Sequence, residues 1–335
     1  MVKTEIRRDP VTGRQVVIDL TPSKPRSDFE PEPPPRDRNP EHCAFCEGQE
    51  ELTGHELYAW RQGSSPNTPG WAVRVLPNRV PLLRIEATNG PVVDGLLISH
   101  EGLGAHEVVI ETPRHDEALH DLSAEAICRV LWAWRSRLLD LKRDIRFVCA
   151  IVFKNHGRAS GARMDHSHSQ ILTSPFVSPL VDDELRGAAG HFKLTGHCVF
   201  CDVIEQELTQ KVRTVSDTGA ILAIAPYASR LPFETWLLPR EHQARYEDAS
   251  DATLAEMAAV LKQTLERINW ALEEPAYNLV LHTAPFHGEQ DESYHWHLEI
   301  LPRVTRVGGL EWGSGLTRNP MPPEEAAKWL RGELS

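Results

Sequence analysis

Two Cys-x-x-Cys pairs are the residues most suited to chemistry, because each is followed by histidines at matching places in the chain. Thiolates and imidazole nitrogens are ligands that Zn²⁺ prefers, and two of each complete a tetrahedral site. We predict one such site in each half of the chain, formed by Cys43, Cys46, His115 and His166 and by Cys198, Cys201, His242 and His295. Four protein ligands leave no open position, so both zinc ions are predicted to be structural. One Cys-x-x-Cys alone would equally fit a redox pair or buried thiols.

A further histidine, His168, lies two residues beyond the predicted ligand His166 and is not needed for metal. Residues two apart on a strand share a face, so His168 is predicted to stand beside the metal site on a rigid backbone. The preceding segment, NHGRASGARMD at 155–165, can present N–H groups to a phosphate. With Asn155 before it and Gln170 after it, His168 is predicted to be a nucleophile. His297 takes the equivalent place in the second half, but only Gly288 precedes it within 284–294, so that half is predicted to have lost the chemistry.

The elements that must position these residues repeat along the chain. Apolar alternation and continuous apolar runs predict strands, and helical spacing predicts two long helices, at 123–143 and 251–273. The predicted strands are 71–76, 106–111, 147–153, 166–172, 221–225, 233–238, 277–282 and 295–301. Seven prolines within 22–40 predict an extended arm over the surface.

A tandem duplication explains this order. HSHSQIL at 166–172 corresponds to HWHLEIL at 295–301, and the interval from His115 to His166 is 51 residues against 53 from His242 to His295. We therefore predict an α+β fold of two related units, each an antiparallel sheet with a long helix packed against it, divided into residues 1–180 and 181–335.

Composition excludes several classes of protein. The 335 residues carry a net charge of −12, with 41% hydrophobic and 25% charged residues, which is typical of a globular protein. An acidic chain is a poor binder of nucleic acid. No apolar run reaches the roughly 18 residues of a membrane span, and the N-terminus lacks the apolar core of a signal peptide. We therefore expect a cytoplasmic protein with reduced cysteines and no membrane or nucleic-acid partner.

The motifs together resemble one family. HSHSQ at 166–170 is similar to the His-x-His-x-Gln active-site motif of the galactose-1-phosphate uridylyltransferase family, within the histidine-triad superfamily. The resemblance covers nearly the whole chain and includes DPVTGRQVVI at 9–18, KPRSDF at 24–29, VLPNRVPLL at 75–83, FKNHGRASG at 153–161 and GGLEWGSG at 308–315. It implies a homodimer of duplicated histidine-triad units that transfers a nucleotidyl group from a nucleotide sugar to a sugar 1-phosphate through a nucleotidyl-histidine.

The resemblance also implies roles for individual residues. His168 corresponds to the nucleophile and Gln170 to the side chain that contacts the transferred phosphate. The remaining implied substrate contacts are Asn155 and Gly161 at the phosphate, Asn78 and Arg26 near the nucleotide, and Gly313 and Gly315 in a C-terminal loop on the sugar side. Arg163 departs from the pattern, since related sequences commonly have a small serine there; it would add positive charge to the pocket or point outward.

The activity we predict is ping-pong transfer of a uridylyl group from UDP-glucose to a hexose 1-phosphate, as in galactose metabolism. The second Cys-x-x-Cys resembles the two-zinc branch of the family, which bacterial uridylyltransferases share with plant ADP-glucose phosphorylase. Adenylyl transfer from ADP-glucose to phosphate is therefore an alternative. A histidine-triad hydrolase is another, although such proteins usually carry histidine at the place of Gln170, and glutamine cannot protonate a leaving group. A zinc scaffold without catalysis is the alternative from a different class of protein.

Overall fold

A single large sheet organises the computed structural model, which describes residues 3–21, 29, 41, 43–88, 90–288 and 291–334. Within those residues its ten strands are β3 (Tyr58–Arg61), β4 (Trp71–Pro77), β7 (His106–Ile110), β8 (Cys149–His156), β9 (His168–Ser174), β10 (Thr214–Asp217), β11 (Ile221–Ile224), β12 (Thr235–Pro239), β13 (Tyr277–His282) and β14 (His297–Pro302). All neighbouring strands are antiparallel, in the order β10-β11-β12-β14-β13-β8-β9-β7-β4-β3.

The strand order shows the duplication directly. Five strands from residues 58–174 and five from 214–302 follow the same connectivity outward from a shared seam, where β8 pairs with β13. In each set one long helix follows the third strand from the seam: α1 (Ala124–Leu141) follows β7 and α4 (Asp251–Leu272) follows β12. The predicted α+β fold, with antiparallel strands and long packed helices, is confirmed. The division at residue 180 stays a prediction.

Both long helices begin at a serine cap. The Ser123 hydroxyl accepts a hydrogen bond from the amide of Ala126, and the Ser250 hydroxyl accepts one from Thr253. Such caps satisfy N–H groups that have no partner within the helix. The apolar sides of α1 and α4 pack on one face of the sheet and on each other, in a continuous core that includes Trp134, Val109 and Ile171.

Because side chains alternate along a strand, the predicted active-site side chains lie on the face of the sheet opposite the long helices. On β9, Ile171 packs in the helix-side core and the Ser169 hydroxyl accepts a hydrogen bond from the indole of Trp134. His168 and Gln170 alternate with these residues and therefore face away from the helices. In the second half, that opposite face is covered by α2 (Pro179–Thr195) and α3 (Val199–Gln210).

Strands β3 and β10 and helices α2 and α3 were not predicted. The other elements that were not predicted lie outside the large sheet. They are β1 (Thr4–Arg8), β2 (Gln15–Asp19), the hairpin of β5 (Pro91–Asp94) and β6 (Leu97–His100), α5 (Gly309–Ser314), β15 (Thr317–Asn319) and α6 (Pro323–Leu330). Strand β15 pairs in parallel with β2, so the two ends of the chain share a three-stranded sheet. No helix within the described residues has the length and apolar character needed to cross a bilayer.

Four predicted strands begin two residues later than expected, among them β8 at Cys149 and β12 at Thr235. Strands β9 and β14 start at His168 and His297, so His166 and His295 lie just before them rather than inside them. The ring Nε2 of His166 bonds to the carbonyl of Thr112, and that of His295 bonds to the carbonyl of Pro239. The predicted arm at 22–40, including Arg26, lies outside the described residues apart from buried Phe29.

Candidate active site

The four predicted ligands of the first half converge in space. The ligand atoms of Cys43, Cys46, His115 and His166 all lie within 4.8 Å of one another. The Sγ atom of Cys46 is 3.5 Å from His115 Nδ1 and 3.6 Å from His166 Nδ1, and Cys43 Sγ is 3.5 Å from His166 Nδ1. Ligands bound to one tetrahedral zinc through sulfur and nitrogen lie about 3.6 Å apart. The donor set and its spacing therefore fit a zinc ion.

The ring of His166 is held in the form that binds metal. Its Nε2–H donates to the carbonyl of Thr112 at 2.7 Å, which leaves the lone pair on Nδ1 directed at the thiols. Burial lowers the pKa of His166 to about 4, so the imidazole is neutral near pH 7.

The second predicted set converges in the same way. The ligand atoms of Cys198, Cys201, His242 and His295 lie within 4.8 Å of one another. Cys201 Sγ is 3.3 Å from His242 Nδ1 and 3.7 Å from His295 Nδ1. Carbonyls accept from both Nε2 atoms, that of Asp291 from His242 and that of Pro239 from His295. Both sets could therefore hold a metal.

His168 is a neutral imidazole with one ring nitrogen in a hydrogen bond. Its Nδ1–H donates to the carbonyl of His166 at 2.8 Å, and no described residue bonds to its Nε2. The side chain is buried against Phe45, with 8% of the residue exposed. Burial lowers the pKa of His168, so the lone pair on Nε2 is available.

The exposed edge of His168 lies in a cavity of about 630 Å³, a volume suited to a small-molecule ligand. Apolar side chains form much of its wall, among them Phe45, Leu76, Val108 and Phe153. Polar side chains converge on the remaining wall: Asn78, His106, Asn155, Arg163 and Gln170. A neighbouring cavity of about 730 Å³ shares Asn155 but runs past His115 and does not include His168.

The carboxamide of Asn155 is oriented so that its N–H groups have no acceptor among the described residues. Asn278 Nδ2 donates both to the carbonyl of Ser160, at 2.9 Å, and to Asn155 Oδ1, at 2.8 Å. Because a carbonyl must accept, the Asn278 atom is a nitrogen and the Asn155 atom facing it is an oxygen. Asn278 lies directly opposite Asn155 across the β8–β13 seam. The second half thereby orients a side chain of the first half's site.

The glycine-bearing loop places one glycine and one arginine at this cavity. Gly161 has φ of +91°, a conformation that side chains other than glycine rarely adopt, and lies near Asn155 Nδ2. Arg163 is an exposed residue on the cavity wall, and it has no ion pair within the described part of the chain. Of its two predicted alternatives, the one at the pocket fits this position.

Two predicted substrate residues are not brought to the cavity, and a third is not among the described residues. Gly313 is exposed in α5, and Gly315 follows that helix with φ of +72°; neither lines the cavity within one chain. Arg26 lies outside the described residues. The roles of all three remain predictions.

His297, the counterpart of His168 in the second half, is fully buried. The Nδ1–H of His297 also donates to a carbonyl two residues earlier, at 3.1 Å, but His297 has 0% exposure. Its ring packs against Phe200 and Trp236 and stacks on His282 at 4.8 Å. His297 lines neither the cavity at His168 nor the neighbouring one at His115, and the loss of chemistry in this half stays a prediction.

A third group of possible ligands surrounds His297, formed by Glu184, His282, His297 and Glu299. Although burial disfavours its charged form, the two glutamates raise the pKa of His282 to about 10. Glu299 is also paired with Arg230, and Tyr294 donates to Glu184 at 2.7 Å. Two anions thus face two cations, and the group is balanced without a metal.

A buried ion pair behind His168 was missed in the sequence. Lys154 Nζ lies 2.6 Å from Glu111, and it donates to the Ser167 hydroxyl at 3.0 Å and to the His168 carbonyl at 3.2 Å. The only local signal was one lysine directly after an apolar run. Asn278 and His106 were missed as well, because their partners are distant in sequence.

Known proteins match nearly the whole chain. Residues 4–178 match the family described as galactose-1-phosphate uridyl transferase, N-terminal domain, and residues 184–331 match its C-terminal domain. The ADP-glucose phosphorylase of Arabidopsis thaliana is 33% identical over 98% of this chain and 92% of its own length. The galactose-1-phosphate uridylyltransferase of Thermotoga maritima is 26% identical, with 98% of both chains covered.

Two solved structures of proteins with similar names have the same fold as this chain. The crystal structure of an ADP-glucose phosphorylase from Arabidopsis thaliana with bound ADP-glucose superposes with a TM-score of 0.83, at 31% identity and 99% coverage of both chains. A structure described as uridylyltransferase gives a TM-score of 0.76 at 27% identity, with 98% of this chain and 97% of that chain covered. With both halves matched, the chain belongs to the galactose-1-phosphate uridyl transferase family.

Proposed function

We propose that this protein transfers a nucleotidyl group from a nucleotide sugar to a phosphate-bearing acceptor through a covalent intermediate on His168. The observation that carries the proposal is the state of that histidine. It is neutral, its Nδ1–H is committed to a carbonyl, and it borders a cavity in which amide groups converge. A nucleophile held in this way can form a covalent intermediate that splits one difficult transfer into two easier steps.

In the first step Nε2 of His168 attacks the α-phosphorus of the donor. A P–N bond forms, the P–O bond to the β-phosphate breaks, and the sugar 1-phosphate leaves with that electron pair. The free N–H groups of Asn155 and the carboxamide of Gln170 would donate to the phosphoryl oxygens as their charge rises. The Nδ1 hydrogen bond to the His166 carbonyl stabilises the positive charge that the ring acquires.

In the second step an oxygen of the acceptor phosphate attacks the same phosphorus. The P–N bond breaks and its electron pair returns to Nε2, which restores the neutral ring. A sugar 1-phosphate has its second pKa near 6 and is largely dianionic at pH 7, and inorganic phosphate is also an anion at this pH. Either acceptor therefore presents an ionised oxygen and needs no strong base.

The two Cys₂His₂ sets would hold zinc as a structural ion. Bound there, the metal would supply a rigid cross-link with no open coordination position. In the first half this fixes the backbone at His166, whose carbonyl orients His168.

For the donor, we propose ADP-glucose with inorganic phosphate as acceptor. The relative named ADP-glucose phosphorylase is 33% identical to this chain, against 26% for the Thermotoga uridylyltransferase, at equal coverage of this chain. The second candidate is uridylyl transfer from UDP-glucose to a hexose 1-phosphate, which the family description favours. A cytoplasmic homodimer is proposed from the family resemblance.

Intact-protein mass spectrometry tests this proposal. The purified protein is mixed with ADP-glucose or UDP-glucose separately, and the masses of an adenylyl and a uridylyl adduct distinguish the two donors. Addition of phosphate or of galactose 1-phosphate should then discharge the adduct and identify the acceptor. Absence of an adduct with either donor would contradict the proposed function.

Arg163 is expected to act on the acceptor. Replacing Arg163 with serine removes an exposed positive charge from the cavity wall, so the KM for the acceptor should rise about three- to fivefold, as expected for one solvent-screened contact. Formation of the adduct should change little. Arg158→Ser is the matched control, because Arg158 is exposed in the same loop but does not line this cavity. Equal KM values in the two variants would show that Arg163 has no role in acceptor binding.

Asn278 is expected to affect the chemistry from the other half of the chain. In Asn278→Leu the Asn155 carboxamide loses the donor that fixes its orientation. Loss of one such hydrogen bond should slow adduct formation by about five- to tenfold. Single-turnover kinetics measure this rate, and a thermal melt measures stability in parallel. A variant that loses stability but keeps the wild-type rate would contradict the orienting role.

A further inference from the structure

We propose that His106 is a positioning residue that turns the amide N–H groups of Gln170 toward the transferred phosphoryl group. This inference rests on the proposed function and concerns a residue to which the sequence assigned no role. His106 begins β7, is largely buried, and lies on the wall of the cavity that contains His168.

A backbone amide fixes the tautomer of His106. The N–H of Leu82 donates to His106 Nδ1 at 3.0 Å, so this ring nitrogen carries the lone pair. Burial lowers the pKa of His106, which favours the neutral ring. A neutral imidazole has one N–H, and it must therefore be at Nε2. That nitrogen lies 2.9 Å from the side-chain oxygen of Gln170 and donates to it.

Asn78 supports the same orientation of Gln170. The amide of Val80 donates to Asn78 Oδ1 at 2.9 Å, so the other end of this carboxamide is the NH₂ group. Asn78 Nδ2 lies 3.4 Å from Gln170 Oε1 and 3.1 Å from His106 Nε2. Because both of these nitrogens carry hydrogens, the contact between them is not a bond, and Gln170 Oε1 is their shared acceptor.

The orientation of Gln170 follows from these donors. If its carboxamide were reversed, its NH₂ group would face two other N–H groups, and none of them would have an acceptor. With Oε1 on His106, the Nε2 hydrogens are left for the cavity, and no described residue accepts them. Gln170 lies two residues from His168 on β9, so its side chain shares the nucleophile's face.

A fixed donor needs no reorganisation when charge develops on the phosphoryl oxygens. Without His106 Nε2–H, the Gln170 carboxamide can rotate, and misplacement of this kind slows chemistry by on the order of 10- to 100-fold. The effect should appear in the rate of adduct formation more than in affinity for the donor, because charge on these oxygens is greatest in the transition state.

Two substitutions separate positioning from a merely structural role. In His106→Asn the side-chain oxygen can replace Nδ1 and accept from Leu82, but nothing replaces the Nε2 donor. In His106→Gln the terminal NH₂ group can reach the place of Nε2 and donate to Gln170, while the acceptor for Leu82 is lost. The experiment measures single-turnover adduct formation with ADP-glucose and UDP-glucose, together with the thermal stability of each variant.

We expect His106→Asn to slow adduct formation by 10- to 100-fold at nearly unchanged donor affinity, and His106→Gln to recover most of the wild-type rate. In a Gln170→Ala background, His106→Asn should have no further effect, since the residue it positions is absent.

The reverse ranking, with asparagine fast and glutamine slow, would overturn the proposal and assign His106 to holding the backbone at Leu82. Additive effects of His106→Asn and Gln170→Ala would also overturn it. These failures differ from failure of the proposed function, in which the wild-type protein itself forms no adduct; that result would remove the basis of the inference as well.

Discussion

Replacing His168 with asparagine is expected to abolish the nucleotidyl-enzyme adduct. No other side chain at the cavity is a neutral imidazole that lacks a partner for one ring nitrogen among the described residues: His106, its neighbour on the wall, has both ring nitrogens engaged. Loss of the nucleophile removes the covalent route altogether. Intact-protein mass spectrometry after mixing with ADP-glucose or UDP-glucose gives the result directly.

His297→Asn is the matched control, because His297 has the equivalent backbone position and the same Nδ1 contact to a carbonyl. It should form the adduct as the wild type does and lose stability instead, since its ring packs between Phe200, Trp236 and His282. His168→Gly offers a second check, in which an imidazole-bearing nucleotide donor should restore some transfer if the phosphate site is intact. An adduct in the His168 variant and none in the His297 variant would reverse the assignment of the active half.

Loss of a zinc ligand is expected to have the second large effect, a strong decrease in stability. We predict two zinc ions per chain, since two complete ligand sets are assembled. A structural zinc contributes apparent binding free energy on the order of 10 kcal/mol, which is shared with folding. Cys198→Ser should therefore lower the melting temperature strongly and leave the rate of adduct formation in the folded fraction close to wild type.

Cys43→Ser makes the comparison, because it disturbs the site that includes His166, whose carbonyl orients His168. This variant should lose both stability and adduct formation. Elemental analysis of the wild-type protein, together with melts of both variants, checks the prediction. One zinc or none in carefully prepared protein would refute the two-site assignment.

The site could be predicted where chemistry is encoded in local spacing. The chain has six cysteines and 16 histidines, and the repetition of some of them at matched intervals predicted both ligand sets and the role of His168. His106 and Asn278 had no such signal. Their partners, Gln170 and Asn155, lie 64 and 123 residues away in the chain, and only the packed sheet brings them together.

The secondary structure was likewise predictable where the pattern is local and not where it depends on distant parts of the chain. Eight strands of the large sheet and both long helices were predicted from their periodicity, to within a few residues at each end, whereas β3, β10 and α3 were missed. The pairing of β15 with β2 joins Thr317 to Val16 and follows from no local pattern. Helix α2 was missed although its limits are marked in the sequence, with Pro179 in its first turn and Gly196 in a left-handed conformation at its end.

The candidate active site depends on the pairing of β8 with β13. Asn155 and Asn278 are cross-strand partners there, so any local unfolding that separates the two strands also releases the Asn155 carboxamide. In the second copy of the unit His297 is fully buried, yet Asn278 of that copy makes the contact that orients Asn155 at the proposed phosphate site. In hydrogen exchange, the amides of these two strands should therefore open as one cooperative unit, and no state in which only one copy is folded would retain the complete proposed site.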